Sequence, residues 1–385
     1  MQRTGIRLRP AARLVSLLLI AAALITVLPV SYAEDAAADS ETAAVSGTDD
    51  GGGEFDYTLN GKTWDELIEE FISTYSPDGD QISLGYYNTV TGETRFYLPD
   101  KYFIGASLYK LPLCMFFQQA INIGAYSAEE FISGYRLDEL IRGSIVESNN
   151  DYAHALLNTF KETRGYRNTI AQYVGVDTET IEYDSPYWSN TYFNARQIIE
   201  CLKSLYFNPE DFQIIMDYMG QAEPHKYFNF HEQSVPIAHK YGYVTEFGSY
   251  FINDCGICYT EDPILIVIFT KDVRYYVDAI PDYCTLMIDY SNASREQRLE
   301  REAQEAERLA EEERLAEEKR LAEEAEKQAA AEAEAEKAAQ EADKVKDALD
   351  DFDVTSPERK TVILVLTVAA GALLIAYILK KLKII

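Results

Sequence analysis

Phe103-Ile-Gly-Ala-Ser-Leu-Tyr-Lys-Leu-Pro-Leu-Cys-Met-Phe-Phe117 is the stretch on which the reading of this chain turns. It is mostly apolar, and Ser107 and Lys110 stand three residues apart within it. The small residues Gly105 and Ala106 suit a tight entry into a helix whose first turn carries Ser107. Residues at i and i+3 share a helix face, so the Lys110 amine is placed to approach the Ser107 hydroxyl. Apolar surroundings disfavour an ammonium and lower its pKa, which makes the amine a proton acceptor. The helix N-terminus also offers backbone N–H groups to a developing oxyanion. Alone, a serine three residues before a lysine is a weak signal, matched about once by chance in a chain this long. A helix start with a surface lysine fits it as well.

Two more motifs follow in order. Ser148-Asn149-Asn150 interrupts two helical patterns, coming after Leu137-Asp-Glu-Leu-Ile-Arg142 and before Ala153-His-Ala-Leu-Leu157. Such a polar stretch is either a loop cap or a set of inward-pointing donors. Lys240-Tyr241-Gly242 lies in the strand pattern Ser234 to Val244, which leads through a turn at Thr245-Glu-Phe-Gly-Ser249 into a second strand, Tyr250 to Thr260. Lysine is unusual in a strand bordered by apolar residues, and Gly242 lets another backbone or a ligand come close. A serine nucleophile, a lysine one turn away, a second serine and a second lysine are the parts of acyl transfer at serine with lysine as base.

Motifs, order and flanks together make residues 61–292 resemble the class A β-lactamase and penicillin-recognising serine hydrolase family. The carrying segments are Gly-Ala-Ser-Leu-Tyr-Lys-Leu-Pro-Leu around Ser107 and Ser-Asn-Asn-Asp-Tyr-Ala-His-Ala-Leu-Leu from Ser148. The resemblance implies an α+β fold, an antiparallel sheet with flanking helices and a helical lobe, with the site at their seam. It implies that Ser107 attacks an amide or β-lactam carbonyl, that Lys110 accepts its proton, and that Ser148, polarised by Lys240, protonates the departing nitrogen. Asn150 would hold a substrate amide and steady Lys110. The N–H groups of Ser107 and Tyr243 would form the oxyanion hole, and Lys240 would attract a substrate carboxylate, with Tyr241 and Gly242 completing the substrate-binding strand.

Two positions depart from the family pattern. Threonine or serine usually stands between the lysine and glycine of the third motif, where its hydroxyl binds a substrate carboxylate; here it is Tyr241. The loop after the second motif, Glu182-Tyr-Asp-Ser-Pro-Tyr-Trp-Ser-Asn190, is short and lacks the usual glutamate pattern. Glu182 and Asp184 are its candidate deacylation bases, and slow turnover is expected without a well-placed one. A β-lactam-processing hydrolase is the first reading. A peptidase acting on D-alanyl ends of cell-wall peptides and a non-catalytic wall-binding or sensory module are the alternatives. No cofactor or metal is required.

The coarse pattern agrees with such a fold. Thr63 followed three residues on by Glu66 is a capping box opening an amphipathic helix through Ile72. Gln81 to Tyr87 and Thr94 to Leu98 read as a hairpin around Thr91-Gly92-Glu93. Helical stretches, including Ala195 to Leu205, fill the middle. Three strands, the last at Ile264 to Thr270, and a helical segment ending near Tyr290 close the domain.

The flanks suggest where the domain works. Arg3, Arg7, Arg9 and Arg13 precede an apolar run, Leu14 to Val30, and the small residues of Ser31-Tyr-Ala33 suit a signal peptidase, so residues 1–33 read as a signal peptide. Residues 34–60 read as a disordered linker. Thr361 to Leu379 is long enough to span a bilayer. Lys380, Lys381 and Lys383 assign the tail, 380–385, to the cytoplasm, with the domain outside a bacterial membrane. Residues 351–360 are then a juxtamembrane linker.

Residues 294–350 form a charged spacer repeating Arg-Leu-Ala-Glu-Glu every six residues from Arg308, Arg314 and Arg320. Its composition favours helix, with pairs expected at Arg308/Glu312, Arg314/Glu318 and Arg320/Glu324. Six residues turn a helix by about 240°. Leu309, Leu315 and Leu321 therefore make no coiled-coil seam, which favours a lone, monomeric helix over a dimer.

The net charge of −29 argues against nucleic acid or anionic lipid as partner. Five cysteines make a poor disulfide framework. Cys255 and Cys258 should face opposite sides of a strand as buried thiols. The four histidines show no metal spacing, and His239 reads as structural. The 28 tyrosines read as strand and core residues more than as a carbohydrate surface.

Overall fold

The computed structural model describes residues 56–189 and 191–350, with six positions between 364 and 372. The expected signal peptide (1–33), nearly all of the linker (34–60), the juxtamembrane stretch (351–360) and the tail (380–385) lie outside the described residues. The expected span, 361–379, does so except at those six positions. Among the described residues no helix is long and apolar enough to cross a membrane. The chain divides into two units, one through Glu300 and one from Arg301.

Helix α1 (Trp64–Tyr75) opens with the expected capping box: the Glu66 N–H donates to the Thr63 hydroxyl, and the Thr63 N–H donates to the Glu66 carboxylate. Those two bonds satisfy backbone donors that a helix start would otherwise leave open. Its apolar residues Leu67, Ile68, Phe71 and Ile72 share one face and are buried. Strands β1 (Ile82–Asn88) and β2 (Thr94–Tyr97) form the first hairpin. Helices α2 (Lys110–Asn122), α3 (Leu137–Val146), α4 (Asn150–Leu157), α5 (Thr163–Ile170), α6 (Ala195–Tyr206) and α7 (Pro209–Met219) follow before the sheet resumes.

Strands β3 (Ile237–Glu246), β4 (Ser249–Cys258) and β5 (Ile264–Lys271) complete a five-stranded antiparallel sheet of order β2-β1-β5-β4-β3. The turn between β3 and β4 is tighter than the sequence pattern suggests. It comprises Phe247 and Gly248 alone, with φ of 53° and 79°, the paired left-handed residues that match the twist of a two-residue hairpin. That register is fixed by Ser249 opposite Glu246 and by Gly242 opposite Asn253.

β5 reads as a continuous apolar run because both of its faces are covered. Ile264, Ile266 and Ile268 join α1 and the terminal helix in one core. Leu265, Val267 and Phe269 join α6 and the helical lobe in the other. Cys255 and Cys258 divide between these cores as their odd spacing requires, and all five cysteines are buried and free. Tyr86, Tyr166, Tyr187, Tyr283 and Tyr290 are fully buried, so much of the tyrosine content is core.

One boundary is corrected. The sequence suggests a terminal helix ending near Tyr290 and a separate spacer from Ser294, whereas one helix, α8 (Tyr276–Asp350), spans both. No glycine or proline interrupts it after Pro281, and alanine, glutamate and arginine all sustain helix. In the first unit, Tyr283, Met287 and Tyr290 of α8 pack in the sheet core. In the second unit the side chains from 301 to 344 are exposed, Leu309, Leu315 and Leu321 among them. The ion pairs also differ from expectation. Arg308–Glu312 forms at 2.6 Å, but Arg314 and Arg320 pair backwards with Glu311 and Glu317 at 2.6 Å each. Either direction is one turn away, and the i−3 carboxylate captures the guanidinium instead of the i+4 one.

Candidate active site

β3 is an edge strand of the sheet, and its free edge faces the segment that enters α2. Ala106–Tyr109 is a single 3-10 turn, so Ser107 lies just before the α-helix that begins at Lys110. This turn is pinned from two sides. The Gly105 N–H donates to the Thr191 carbonyl at 2.6 Å, and the Asn253 side chain donates to the Ile104 carbonyl at 2.9 Å. Asn253 pairs with Gly242, where a Cβ would stand 2.7 Å from the Gly105 oxygen, 2.8 Å from the Ser107 nitrogen and 3.0 Å from the Ala106 Cβ. Only glycine lets the strand lie this close to the serine. Ala106 and Ser148 both adopt left-handed backbone conformations, with φ of 49° and 51°. Such strain in non-glycine residues persists only where surrounding contacts over-determine it.

The three motifs, far apart in sequence, converge on Ser148. Ser148 follows α3, and Asn149 caps α4 by accepting from the Tyr152 N–H. Lys110 is fully buried; its amine donates to the Ser148 carbonyl, to Asn150 Oδ1 at 2.7 Å and to Ser148 Oγ at 3.2 Å. Lys240, also fully buried, donates to the same Oγ at 2.9 Å and to the Tyr241 carbonyl at 2.8 Å. With both lysines donating to Ser148 Oγ, the Ser148 proton is left to donate elsewhere. Among the described residues the Ser107 hydroxyl has no hydrogen-bond partner, so Lys110 is held on Ser148 and Asn150 and not on the serine one turn before it.

Burial tunes both amines. It lowers the Lys110 pKa to about 8. For Lys240, burial and then repulsion from Lys110 lower it to about 7. Among the described residues neither lysine has a carboxylate within ion-pair distance, 4.0 Å, so the cost of burying the charge outweighs the weaker attraction of more distant groups such as Asp254.

Tyr241 departs from a small hydroxyl residue in more than size. Its ring stacks on Tyr227 with centroids 4.4 Å apart, and its hydroxyl donates to Glu223 Oε1 at 3.4 Å. The segment bearing these partners is fastened to the sheet by His239. His239 Nδ1 meets Asp254 Oδ2 at 2.8 Å and Nε2 meets the Ala222 carbonyl at 2.8 Å, while Asp254 also accepts the Phe228 N–H at 3.0 Å. Both ring nitrogens face oxygen acceptors, which suits an imidazolium; burial opposes the charge, but Asp254 and the Ala222 carbonyl outweigh it and raise the pKa. The structural reading of His239 agrees with this. Glu223, Tyr227 and Asp254 escape a sequence reading, because no motif or spacing connects them to the third motif. Tyr243, by contrast, is 58% exposed on the free edge.

The loop candidates are not brought to the lysines. Glu182 and Asp184 are both exposed, and neither carboxylate bonds to Ser107, Lys110, Ser148 or Lys240. The loop is held instead by cations on rings. The Arg164 guanidinium lies 3.9 Å from the Tyr183 ring centroid and 4.2 Å from that of Trp188. Fully buried Arg167 lies 4.0 Å from Tyr187 and 4.3 Å from Phe193. Asn190 lies outside the described residues.

Comparison with known proteins identifies the family and the fold. Residues 64–283 match the β-lactamase enzyme family. Among solved structures, a variant of the last common ancestor of Gram-negative bacteria class A β-lactamase is 15% identical, with a TM-score of 0.50, covering 60% of this chain and 99% of that one. A β-lactamase from Burkholderia vietnamiensis is 12% identical, with a TM-score of 0.50, over 58% of this chain and 96% of that one. At these identities the likeness is one of fold. No curated protein matches the sequence.

Proposed function

The chain belongs to the β-lactamase enzyme family, and from that premise we propose that it is a serine hydrolase acylated at Ser107 by β-lactam or related amide substrates. The observation that carries this reading is the meeting of Lys110 and Lys240 on one Ser148 oxygen, at 3.2 and 2.9 Å. A structural ion pair would bring carboxylates to such lysines. Two buried amines of lowered pKa sharing a hydroxyl instead suit a proton relay.

In this reaction Ser107 Oγ attacks the carbonyl carbon and its proton passes to the neutral Lys110 amine. Catalytic hydrogen bonds are often looser in a free enzyme than in its reacting complex, which accommodates the present Lys110 partners. The oxyanion is received by the N–H groups of Ser107 and Tyr243, a reading supported by the close approach of the neighbouring Gly242 to the Ser107 turn. Collapse breaks the carbon–nitrogen bond, and the departing nitrogen takes the Ser148 proton, replaced through Lys110 or Lys240. Asn150 steadies Lys110 during these transfers. Water then cleaves the acyl ester. The exposed positions of Glu182 and Asp184 support a slow last step, and that favours, as a second reading, a peptidase acting on D-alanyl ends of cell-wall peptides over a fast lactamase. We also propose that the apolar stretch 361–379 anchors the domain on the outer side of a membrane, a reading supported by the basic residues that follow it.

The test is covalent labelling. Full-length protein incubated with a labelled penicillin and digested should carry the label on Ser107, and Ser107→Ala should stay unlabelled. Label on another residue, or a labelled Ser107→Ala, overturns the assignment.

A further inference from the structure

The two lysines of this site have no donors left for a substrate. Lys240 spends two N–H groups on Ser148 Oγ and the Tyr241 carbonyl, and its nitrogen sits 4.2 Å from the Tyr241 ring centroid, a cation–π distance that makes the ring its third partner. Lys110 faces three acceptors, the Ser148 carbonyl, Ser148 Oγ and Asn150 Oδ1. Both side chains are fully buried. The next residue along the edge strand offers no donor either, because the Tyr241 hydroxyl is directed at Glu223.

Apart from the buried Lys240, whose N–H groups are already engaged, the charges around that ring are negative or paired. Glu223 and Glu147 both act electrostatically on Tyr241. The surface cations near them are bound to them: Lys226 lies 3.2 Å from Glu223, and Arg142 lies 2.8 Å from Glu147. A carboxylate brought beside Tyr241 therefore meets a ring face and another carboxylate, and it loses its hydration without gaining a charge-assisted hydrogen bond.

We infer that the site takes acyl donors whose leaving portion is uncharged where it lies against the Lys240–Tyr241 strand, such as an ester, a carboxamide or an amidated peptide end, with Tyr241 as the residue that sets this preference. The inference rests on the reading of Ser107 as nucleophile and names the substrate class for it. A neutral group can lie on the ring formed by Tyr241 over Tyr227 and leave the Lys240 contacts to Ser148 intact.

The experiment compares acid and neutral forms of one acyl donor on the full-length protein. Acylation of Ser107 is followed with a penicillin and its methyl ester, and with a thioester depsipeptide ending in a carboxylate or a carboxamide. A fluorophosphonate probe reports separately whether Ser107 is nucleophilic. The neutral member of at least one pair should acylate at a rate within about threefold of its acid or faster, since no charge-assisted bond is lost. Tyr241→Thr should move the acid-to-neutral ratio at least about fivefold towards the acid. An acid more than about tenfold faster in both pairs overturns the inference, as does a ratio unmoved by Tyr241→Thr, or a probe-labelled Ser107 that reacts with neither neutral donor. Failure of the fluorophosphonate to label Ser107 overturns the nucleophile reading itself, and this inference with it.

Discussion

Gly242 lies against Ser107 so closely that a Cβ there would stand 2.8 Å from the Ser107 nitrogen. The neighbours it would meet include the Gly105 carbonyl at 2.7 Å, which is backbone and cannot swing aside as a side chain would. The edge of the sheet is thus used as a wall that fixes one amide of the reacting turn.

Gly242→Ala should accordingly push the Ser107 turn off the edge strand while the sheet remains paired. An error of about 1 Å in a reacting geometry costs about a hundredfold in rate. Acylation by a penicillin is expected to fall by about that factor with little change in the thermal midpoint. An acylation rate close to that of the parent would contradict the wall.

Lys110 accepts a proton only as the neutral amine, so acylation should rise with pH and level off above the pKa. Burial sets that pKa to about 8, and the neighbouring Lys240 titrates at about 7, so the limb belongs to the pair. The acylation rate measured from about pH 5.5 to about 9.5 should climb through the interval between these values. Lys110→Arg should not restore it, because a guanidinium keeps its proton, and the loss should be about 10²–10⁴-fold. A flat profile would contradict the role of the amine.

Deacylation should be slower than acylation, since no described carboxylate lies within 4.0 Å of either lysine. Stopped-flow with a chromogenic cephalosporin should give a burst followed by a slow steady state. Glu182→Gln and Asp184→Asn, both at exposed positions, should leave the slow phase unchanged within about twofold. Linear turnover without a burst, or a slow phase abolished by either change, would show that the loop supplies a base in the acylated state.

The thiols offer a check on the core. All five cysteines are buried, and burial raises the Cys114 pKa to about 12, so the reactive thiolate is disfavoured. A thiol reagent should leave native protein unmodified and react with every cysteine in denaturant. Rapid labelling of the native chain would show that a core is open to solvent.

For the charged segment, a peptide covering 301–344 should be helical and monomeric, with helicity falling as salt screens its Glu–Arg pairs. Circular dichroism and sedimentation at several concentrations test this. Helicity that appears only as the peptide dimerises would favour a coiled coil.

Much of the fold is legible in the chain because its signals are local. The Thr63–Glu66 box, the continuous apolar run from Ile264 to Phe269 and the glycine at the β3–β4 turn each constrain dihedrals or burial over a few residues, and the structure has them all. The same local logic falters where two local partners compete, as for Arg314 and Arg320, or where helix propensity runs uninterrupted past an expected boundary, as in α8.

By itself, the sequence determined the family, the three motifs and the low-dielectric setting that lowers the Lys110 pKa. Only the tertiary structure decided which atoms those motifs touch. Lys110 and Ser107 share a helix start, yet the amine is taken by Ser148 and Asn150, some forty residues away in sequence. Tyr241 is spent on Tyr227 and Glu223, and the loop carboxylates stay in solvent. Hydrogen bonds and ring stacking depend on side-chain positions to within a fraction of an ångström, and those are set by strand register and packing across the whole domain. Spacing along the chain fixes which residues share a helix face or strand side; it does not fix which of several acceptors a buried amine will choose.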